Sequence, residues 1–279
     1  MKTIVFRDAV HGDIQFQNEL SEVIGTLEFQ RLRHIRQNGL LYLVYPNMQH
    51  SRFEHSLGTS HLAGKWFDEL EMNTVGGRRE KFFPLDKDKR FTDGSQLQLV
   101  KTMDCYNRIF GDEKATWRMM VQMAALIHDI GHGPLSHSLE KLKILNLSDV
   151  EDQVDKIDVI KTFLINRRTE ASDDSKKAPV EHEDFTLAYI SLLCRASSKL
   201  AEFFVTGNNG IIVGAFVHKK FRKFVDEKKL LPVQQIECIK LLGQLISGLF
   251  DVDRMDYLKR DSLMAGVKYG NTESERLLN

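Results

Sequence analysis

The chain predicts a mainly α-helical protein with a small N-terminal β-hairpin, and three observations carry that expectation. Apolar residues recur at helical spacing from Ser21 onward, β-prone runs occur only at the start, and the polar, turn-rich stretches do not separate two self-sufficient patterns. Residues 3–6 and 13–16 are the β-prone runs, and Ala9-Val10-His11-Gly12 lies between them as a hairpin turn would. Val23, Leu27, Phe29 and Leu32 then give one apolar stripe, and Phe53, Leu57, Trp66 and Leu70 lie near another. Residues 72–94, bounded broadly as 71–95, carry Gly76-Gly77, Pro84 and many charges and read as a surface insertion. Helical periodicity resumes over 97–109 and 117–127. The polar stretch 171–179 reads as a loop, and apolar-periodic segments follow at 185–193, 211–224 and 234–263. A single domain over 1–279 is expected.

Composition narrows the function classes. Of 279 residues, 42% are hydrophobic and 28% charged, ordinary for a globular protein. Lys+Arg and Asp+Glu both number 39, so the chain lacks the basic excess of a protein that wraps duplex nucleic acid. The three cysteines, Cys105, Cys194 and Cys238, show no metal-knuckle spacing and read as free thiols of a reducing compartment. The N-terminus has no signal-peptide core, and no apolar run reads as long enough to cross a bilayer, so a cytoplasmic protein with no membrane partner is expected.

The chemistry is concentrated in four segments: Ser51-Arg52-Phe53-Glu54-His55-Ser56, the run from His128 to His137, Glu181-His182-Glu183, and the run from Asp251 to Tyr257. His128-Asp129 follows a strongly apolar helical run, so its carboxylate is expected at the end of a buried helix. Burial of an ionised carboxylate costs several kcal/mol, of order ~5, unless something compensates, and a metal ion does so. Gly131 and Gly133 allow a sharp turn there, and Pro134 suits the first turn of a new helix. On that helix His137 and Glu140 are three apart and share a face. Asp253, Tyr257 and Asp261 fall at i, i+4 and i+8, a polar stripe consistent with a lined cavity, and Arg52 and His55 share a face in the same way. Two imidazoles and two carboxylates make a mixed nitrogen–oxygen site that suits Mn, Fe(II), Mg or Zn. Each feature alone has a plainer reading: a lone His-Asp pair is usually structural, Arg52 suits a surface ion pair, and Tyr257 an amphipathic core position. The basic run 218–229 reads more simply as a solvated helix face than as a nucleic-acid patch.

The runs HSRFEHSLG, ALIHDIGHGPLSHSLE and DVDRMDYLKRDS together resemble the deoxynucleoside triphosphate triphosphohydrolases of the HD superfamily, the SAM-and-HD-domain type above all. The opening DAVHGDIQF and the stretch EFQRLRHIRQNGLLYLVYP match in style, and the similarity spans roughly residues 4–265. The resemblance implies the HD-domain helical fold, with His55, His128, Asp129 and Asp253 as ligands of a divalent ion. It implies His137 and His182 as active-site histidines, with Glu140 supporting the first. Arg52, His132, Arg254 and Tyr257 match phosphate-contacting positions, with Arg254 standing where close relatives carry Lys. Gln37 and Asp261 match positions that contact the sugar 3′-hydroxyl. The implied reaction releases a deoxynucleoside and inorganic triphosphate from a nucleoside triphosphate substrate, and a homo-oligomer is expected.

Gln30 and Arg33 match part of a guanine-nucleotide site at a subunit interface, but Gly25 stands where that site uses Asp. Relatives supply a further pocket wall beyond the position of Asn279, which leaves three readings: a partner chain provides it, the pocket is more open, or the chain is truncated. Two rival functions remain at this stage. One is a metal-dependent nuclease or another phosphatase, with single-stranded nucleic acid as a partner. The other is a nucleotide-binding regulatory module.

Overall fold

The structure is a computed structural model that describes residues 3–75, 105, 107–135, 148, 151–171 and 180–268. Strands β1 (Ile4–Asp8) and β2 (Gly12–Phe16) pair antiparallel, from Ile4 opposite Phe16 to Asp8 opposite Gly12. The hairpin closes because one Asp8 carboxylate oxygen accepts from the backbone N–H groups of Val10 and His11, at 2.8 and 2.9 Å, while Gly12 takes φ +76°. Strand β2 turns Ile14 and Phe16 into the core, and polar residues alternate outward.

Helices α1 (Asn18–Gly25) and α2 (Leu27–Gln30) follow. The stripe expected through Val23, Leu27, Phe29 and Leu32 is broken at Leu27, which is 85% exposed, while the other three are fully buried. Thr26 is the cause. It leaves the helical conformation and caps α2 by accepting from Phe29 N–H, so the helix axis restarts and Leu27 swings out.

The core is built on α3 (Arg52–Val75), α4 (Lys114–Ile127), α8 (Asn209–Val217) and α11 (Val252–Ala265). Helix α4 packs against α3 and α8, and α11 lies along α3. Helix α8 is apolar all round and buried from Gly210 to Phe216, as its surroundings require. Around these lie α5 (Asp158–Ala171), α6 (His182–Ala196), α7 (Ser198–Val205), α9 (Lys219–Glu227) and α10 (Val233–Ser247).

Several sequence expectations change in detail. Helix α3 runs through Val75, past residue 71, where the surface insertion is expected from the sequence. The rest of the expected insertion, residues 172–179 of the expected loop and most of 97–109 lie outside the described residues. The segment 211–224 divides at His218, whose extended backbone and ring nitrogen cap α9. The segment 234–263 divides at Gly248, and Asp251 caps α11. That break also leaves Leu249 exposed in the turn, where an apolar helix position is expected from the sequence. Helices α5 and α7, not expected from the sequence, bury Ile160, Phe163 and Leu164, and Leu200 and Phe204.

One apolar stretch among the described residues, Ser198–Val217, is long and apolar enough to span a bilayer by length and composition, contrary to the sequence expectation. It folds as α7 and α8 about a break at Gly207 and Asn208, both at positive φ, and half of its apolar window is buried in the protein. The basic run 218–229 is an amphipathic helix face: Phe221 and Val225 are buried, and Lys220 and Lys223 pair with Glu181 and Glu227.

The break at Thr26 makes a contrast testable by urea unfolding. Phe29→Ala, which removes a fully buried ring packed edge-on against Phe53, should cost about 3–5 kcal/mol. Leu27→Ser should change stability by less than about 0.5 kcal/mol, whereas a continuous amphipathic helix would make the two losses comparable.

Candidate active site

The site is assembled on the end of α4. After Ile127 the chain stays in a tight turn, with His132 N–H bonded to the Asp129 carbonyl at 3.1 Å. The carbonyls at this helix terminus carry partial negative charge and need donors. Arg31 supplies two, donating to the carbonyls of Ile130 and His132 while its guanidinium lies 4.5 Å from the Tyr189 ring centre. Thr186 on α6 donates its hydroxyl to the His128 carbonyl at 3.0 Å and accepts from Gly131 N–H at 3.1 Å. Gly131 therefore serves close approach, since a Cβ there would meet the His182 carbonyl oxygen at 2.0 Å. Its backbone keeps a negative φ within the turn, and Leu135, at φ +66°, is the residue of this stretch in the left-handed conformation.

His55 enters from the first turn of α3, where the Glu54 carboxylate accepts from both the backbone N–H and the hydroxyl of Ser51. Asp253 enters from the first turn of α11. Helices α3 and α11 meet at Gly58, where a Cβ would lie 1.9 Å from an Asp256 carboxylate oxygen. The ligating atoms of His55, His128 and Asp253 all lie within 4.8 Å of one another, a spacing that could hold a metal ion. Asp253 Oδ1 lies 3.0 Å from His55 Nε2 and 3.7 Å from His128 Nε2. Asp129 Oδ1 is 3.4 Å from His128 Nε2, and its Oδ2 is 3.7 Å from His55 Nε2. Ligands at about 2.1 Å from one ion stand roughly 3.0–3.4 Å apart in octahedral or tetrahedral arrangement, close to these separations.

Hydrogen bonding provides the test of fit. His128 Nδ1 donates to the Ala125 carbonyl at 2.8 Å, and His55 Nδ1 lies 2.7 Å from Asp256 Oδ2. Neither Nε2 atom has a hydrogen-bond partner, although Asp253 Oδ1 lies 3.0 Å from His55 Nε2. Two buried imidazole nitrogens and flanking carboxylates thus point at a shared volume, as a divalent cation requires.

Charge follows the same geometry. Burial lowers the His55 pKa, but Asp253 and Asp256 outweigh it and raise the group to about 10. His128 is also raised, burial being outweighed by Asp129 and Asp253. Asp129 is held well below the usual carboxylate range: burial opposes ionisation, and Arg52, His128 and His132 overcome it. The Arg52 guanidinium is in direct contact with Asp129. His132 is pushed down to about 4, chiefly by burial, and is neutral near pH 7. Its ring stacks on His182, with centres 3.7 Å apart and planes 14° from parallel. Asp129, His132 and His182 form a second group with ligating atoms within 4.8 Å, so the Asp129 carboxylate stands between two clusters.

A cavity of about 460 Å³ opens beside these groups. Its walls include Gln37, Arg52, His128, Asp129, His132, His182, Asp253, Tyr257 and Asp261. Asp261 Oδ1 accepts from Asn38 at 2.8 Å and lies 2.9 Å from His50 Nε2. The polar stripe Asp253, Tyr257, Asp261 thus runs along one wall. Of the other sequence candidates, His55 is buried behind this wall, and Arg254 is exposed with its guanidinium on the Leu249 carbonyl at 2.8 Å. His137 and Glu140 lie outside the described residues.

Sequence reasoning passed over several supporting residues. Arg31 and Thr186 carry no motif of their own. Asp184 was hidden by its neighbours His182 and Glu183: its buried carboxylate takes Arg167 at 3.2 and 2.7 Å and faces His218 Nε2 at 3.0 Å. It also accepts from Glu181 N–H, closing the capping box that starts α6 and so sets the base of His182.

No protein-family model matches the chain. Among curated proteins it is similar to the uncharacterized protein YwfO of Bacillus subtilis, 30% identical over 282 residues, covering 98% of this chain and 43% of that protein. It is 25% identical over 266 residues to the deoxynucleoside triphosphate triphosphohydrolase SAMHD1 homolog of Dictyostelium discoideum, covering 94% of this chain and 36% of that protein. Mouse deoxynucleoside triphosphate triphosphohydrolase SAMHD1 is 37% identical over 136 residues, 49% of this chain and 16% of that protein. The chain thus spans less than half the length of these relatives, which include deoxynucleoside triphosphate triphosphohydrolases at modest identity. In fold it is similar to the crystal structure of a hypothetical protein from Aquifex aeolicus, with TM-score 0.54 and 24% identity, covering 99% of this chain and 50% of that one.

The Asp184 cluster makes a pH prediction. Burial raises its pKa, but the bonds to His218 and Arg167 prevail and bring it to about 2. Since the folded value lies below the unfolded one, the contribution is full above about pH 4 and fades as pH falls toward 2, on the order of 2 kcal/mol in all. In urea unfolding at stepped pH, the stability gap between wild type and Asp184→Asn should narrow as pH falls from 5 to about 2. A gap constant over that range would contradict the assignment.

Proposed function

We propose that this chain is a divalent-metal-dependent phosphohydrolase of nucleoside triphosphates, with deoxynucleoside triphosphates as the substrate class. The observation that carries the reading is the convergence of two buried, unbonded imidazole nitrogens with the Asp253 and Asp129 carboxylates beside a polar cavity. The names of the relatives from Dictyostelium discoideum and mouse supply the substrate class. On this reading His55, His128, Asp129 and Asp253 hold the ion, with Mn, Mg or Fe suited to the donor set and Zn compatible with it. Such an ion supplies Lewis-acid polarisation of a phosphoryl oxygen and of an attacking water.

The remaining work falls to the protein. Arg52, already facing Asp129, is placed to offset charge that develops on the phosphate. Neutral His132 offers a hydrogen bond without adding a charge beside Arg52. Tyr257, whose pKa is raised by burial and by Asp253, stays a neutral hydroxyl donor. Hydrolysis joins the water oxygen to the α-phosphorus and breaks its bond to the sugar 5′-oxygen, which must take up a proton. His182, with Glu183 Oε2 3.3 Å from its Nδ1, is suited to hold that proton. Gln37 and Asp261 are suited to a sugar hydroxyl. Arg254 reaches a phosphate only by leaving the Leu249 carbonyl. His137 and Glu140 complete the proposed set as an active-site histidine and its carboxylate support.

Incubation of the protein with each dNTP and rNTP plus Mn2+ or Mg2+, followed by ion-exchange analysis, tests the reading. The expected products are deoxynucleoside and tripolyphosphate, abolished by chelation, restored by added metal and lost in Asp129→Ala. Arg52→Lys should lower kcat/KM by about 100-fold, because a single ammonium cannot reproduce the planar fork. Release of orthophosphate or pyrophosphate, or cleavage of single-stranded DNA alone, would overturn the triphosphohydrolase assignment.

A further inference from the structure

We infer that Asp256 is a positioning residue for the ligand His55, and that the N-terminal hairpin belongs to the metal site by holding Asp256 in place. The inference rests on the metal reading above and extends it to residues away from the cavity.

Asp256 is fully buried and lies on the face of α11 turned toward α3. One of its oxygens is 2.7 Å from His55 Nδ1 and the other is 2.6 Å from His11 Nε2. Arg260, one turn later, donates to both oxygens at 2.8 and 2.9 Å and reaches Asp8 at 2.8 Å. Asp8 in turn closes the hairpin turn that carries His11. The chain of contacts therefore runs from the β1–β2 turn through Arg260 and Asp256 to a ring whose far nitrogen faces Asp253 and His128.

A buried carboxylate with so many donors is fixed in orientation, and it fixes the imidazole in turn. A proton kept on His55 Nδ1 leaves Nε2 as the atom that meets the ion and strengthens it as a donor. The space is built for the purpose: a Cβ at Gly58 would sit 1.9 Å from Asp256 Oδ1 and 2.6 Å from Arg260 Nη2. A plain structural ion pair would need Arg260 and Asp8 but would not need both His11 and His55 on the same carboxylate.

The test uses the full chain and two readouts: Co2+ affinity by chelator competition, and long-range proton–nitrogen NMR of the histidine rings in the Zn2+-loaded protein. Asp256→Asn should weaken Co2+ binding by about 10- to 100-fold, and His11→Ala by about 3- to 10-fold, at temperatures where both remain folded. In wild type the His55 ring should carry its proton on Nδ1, with a resonance that shifts in both variants. Unchanged Co2+ affinity in both, with only lowered thermal stability, would reduce Asp256 to a structural residue; a proton on Nε2 in the loaded wild type would overturn the inference outright. Should Asp256→Asn not fold, His11→Ala and the wild-type spectrum decide by the same criteria. A wild type that binds neither metal overturns the metal reading itself and this inference with it, whereas binding that the variants do not weaken overturns the inference alone.

Discussion

The architecture around the cavity depends on one close approach, that of α11 to α3 at Gly58. Only a residue without a side chain lets Asp256 and Arg260 reach the α3 backbone. That contact sets the height at which Asp253 leaves the start of α11 and the height at which His55 leaves the start of α3. With α4 also packed on α3, the end of α4 delivers His128 and Asp129 to the same place. Backbone proximity at one crossing thus fixes the side chains of three helices.

Three carboxylates, Asp129, Asp253 and Asp256, are drawn together by this packing. Each would resist ionisation on burial, and each is kept ionised by different cationic neighbours: Arg52 and the imidazoles for the first, His128 and His55 for the second, His11, His55 and Arg260 for the third. Buried charge of this density is a poor way to stabilise a fold. It concentrates negative potential where two imidazole nitrogens are also directed, and that favours a divalent cation over a monovalent one. The neutral His132 separates this region from His182 and keeps the cationic side of the cavity from accumulating repulsion.

Much of the fold was legible in the sequence because it follows from local rules. The hairpin showed in two short β-prone runs, and α4 in an unbroken apolar helix that ends at His128. What escaped was decided at a distance or by a single residue. Thr26 breaks a stripe that periodicity reads as continuous, and His218 and Gly248 divide segments of uniform apolar character. The segments bearing His55, His128, Asp129 and Asp253 stood out through the density of their polar residues against apolar helices. Asp256, His11 and Arg31 did not: their partners lie 201, 245 and about 100 residues away, and no spacing rule links such pairs. The i+4 relation of Asp256 and Arg260 and the i+3 relation of Asp8 and His11 are local signs of that network.

Asp261 shows how the cavity can choose among molecules of similar size. Among the described residues its hydrogen-bonded neighbours, Asn38 and His50, fall on Oδ1, so on the proposed reading Oδ2 would be the oxygen offered to a molecule in the cavity. A carboxylate oxygen is an acceptor. A compound that places a hydroxyl there satisfies it, and a compound that places an ether or a bare carbon there strands it dry, a penalty of about 1–3 kcal/mol. On the proposed reading, selection at this wall would be by polarity of one contact, a filter that shape alone would not provide.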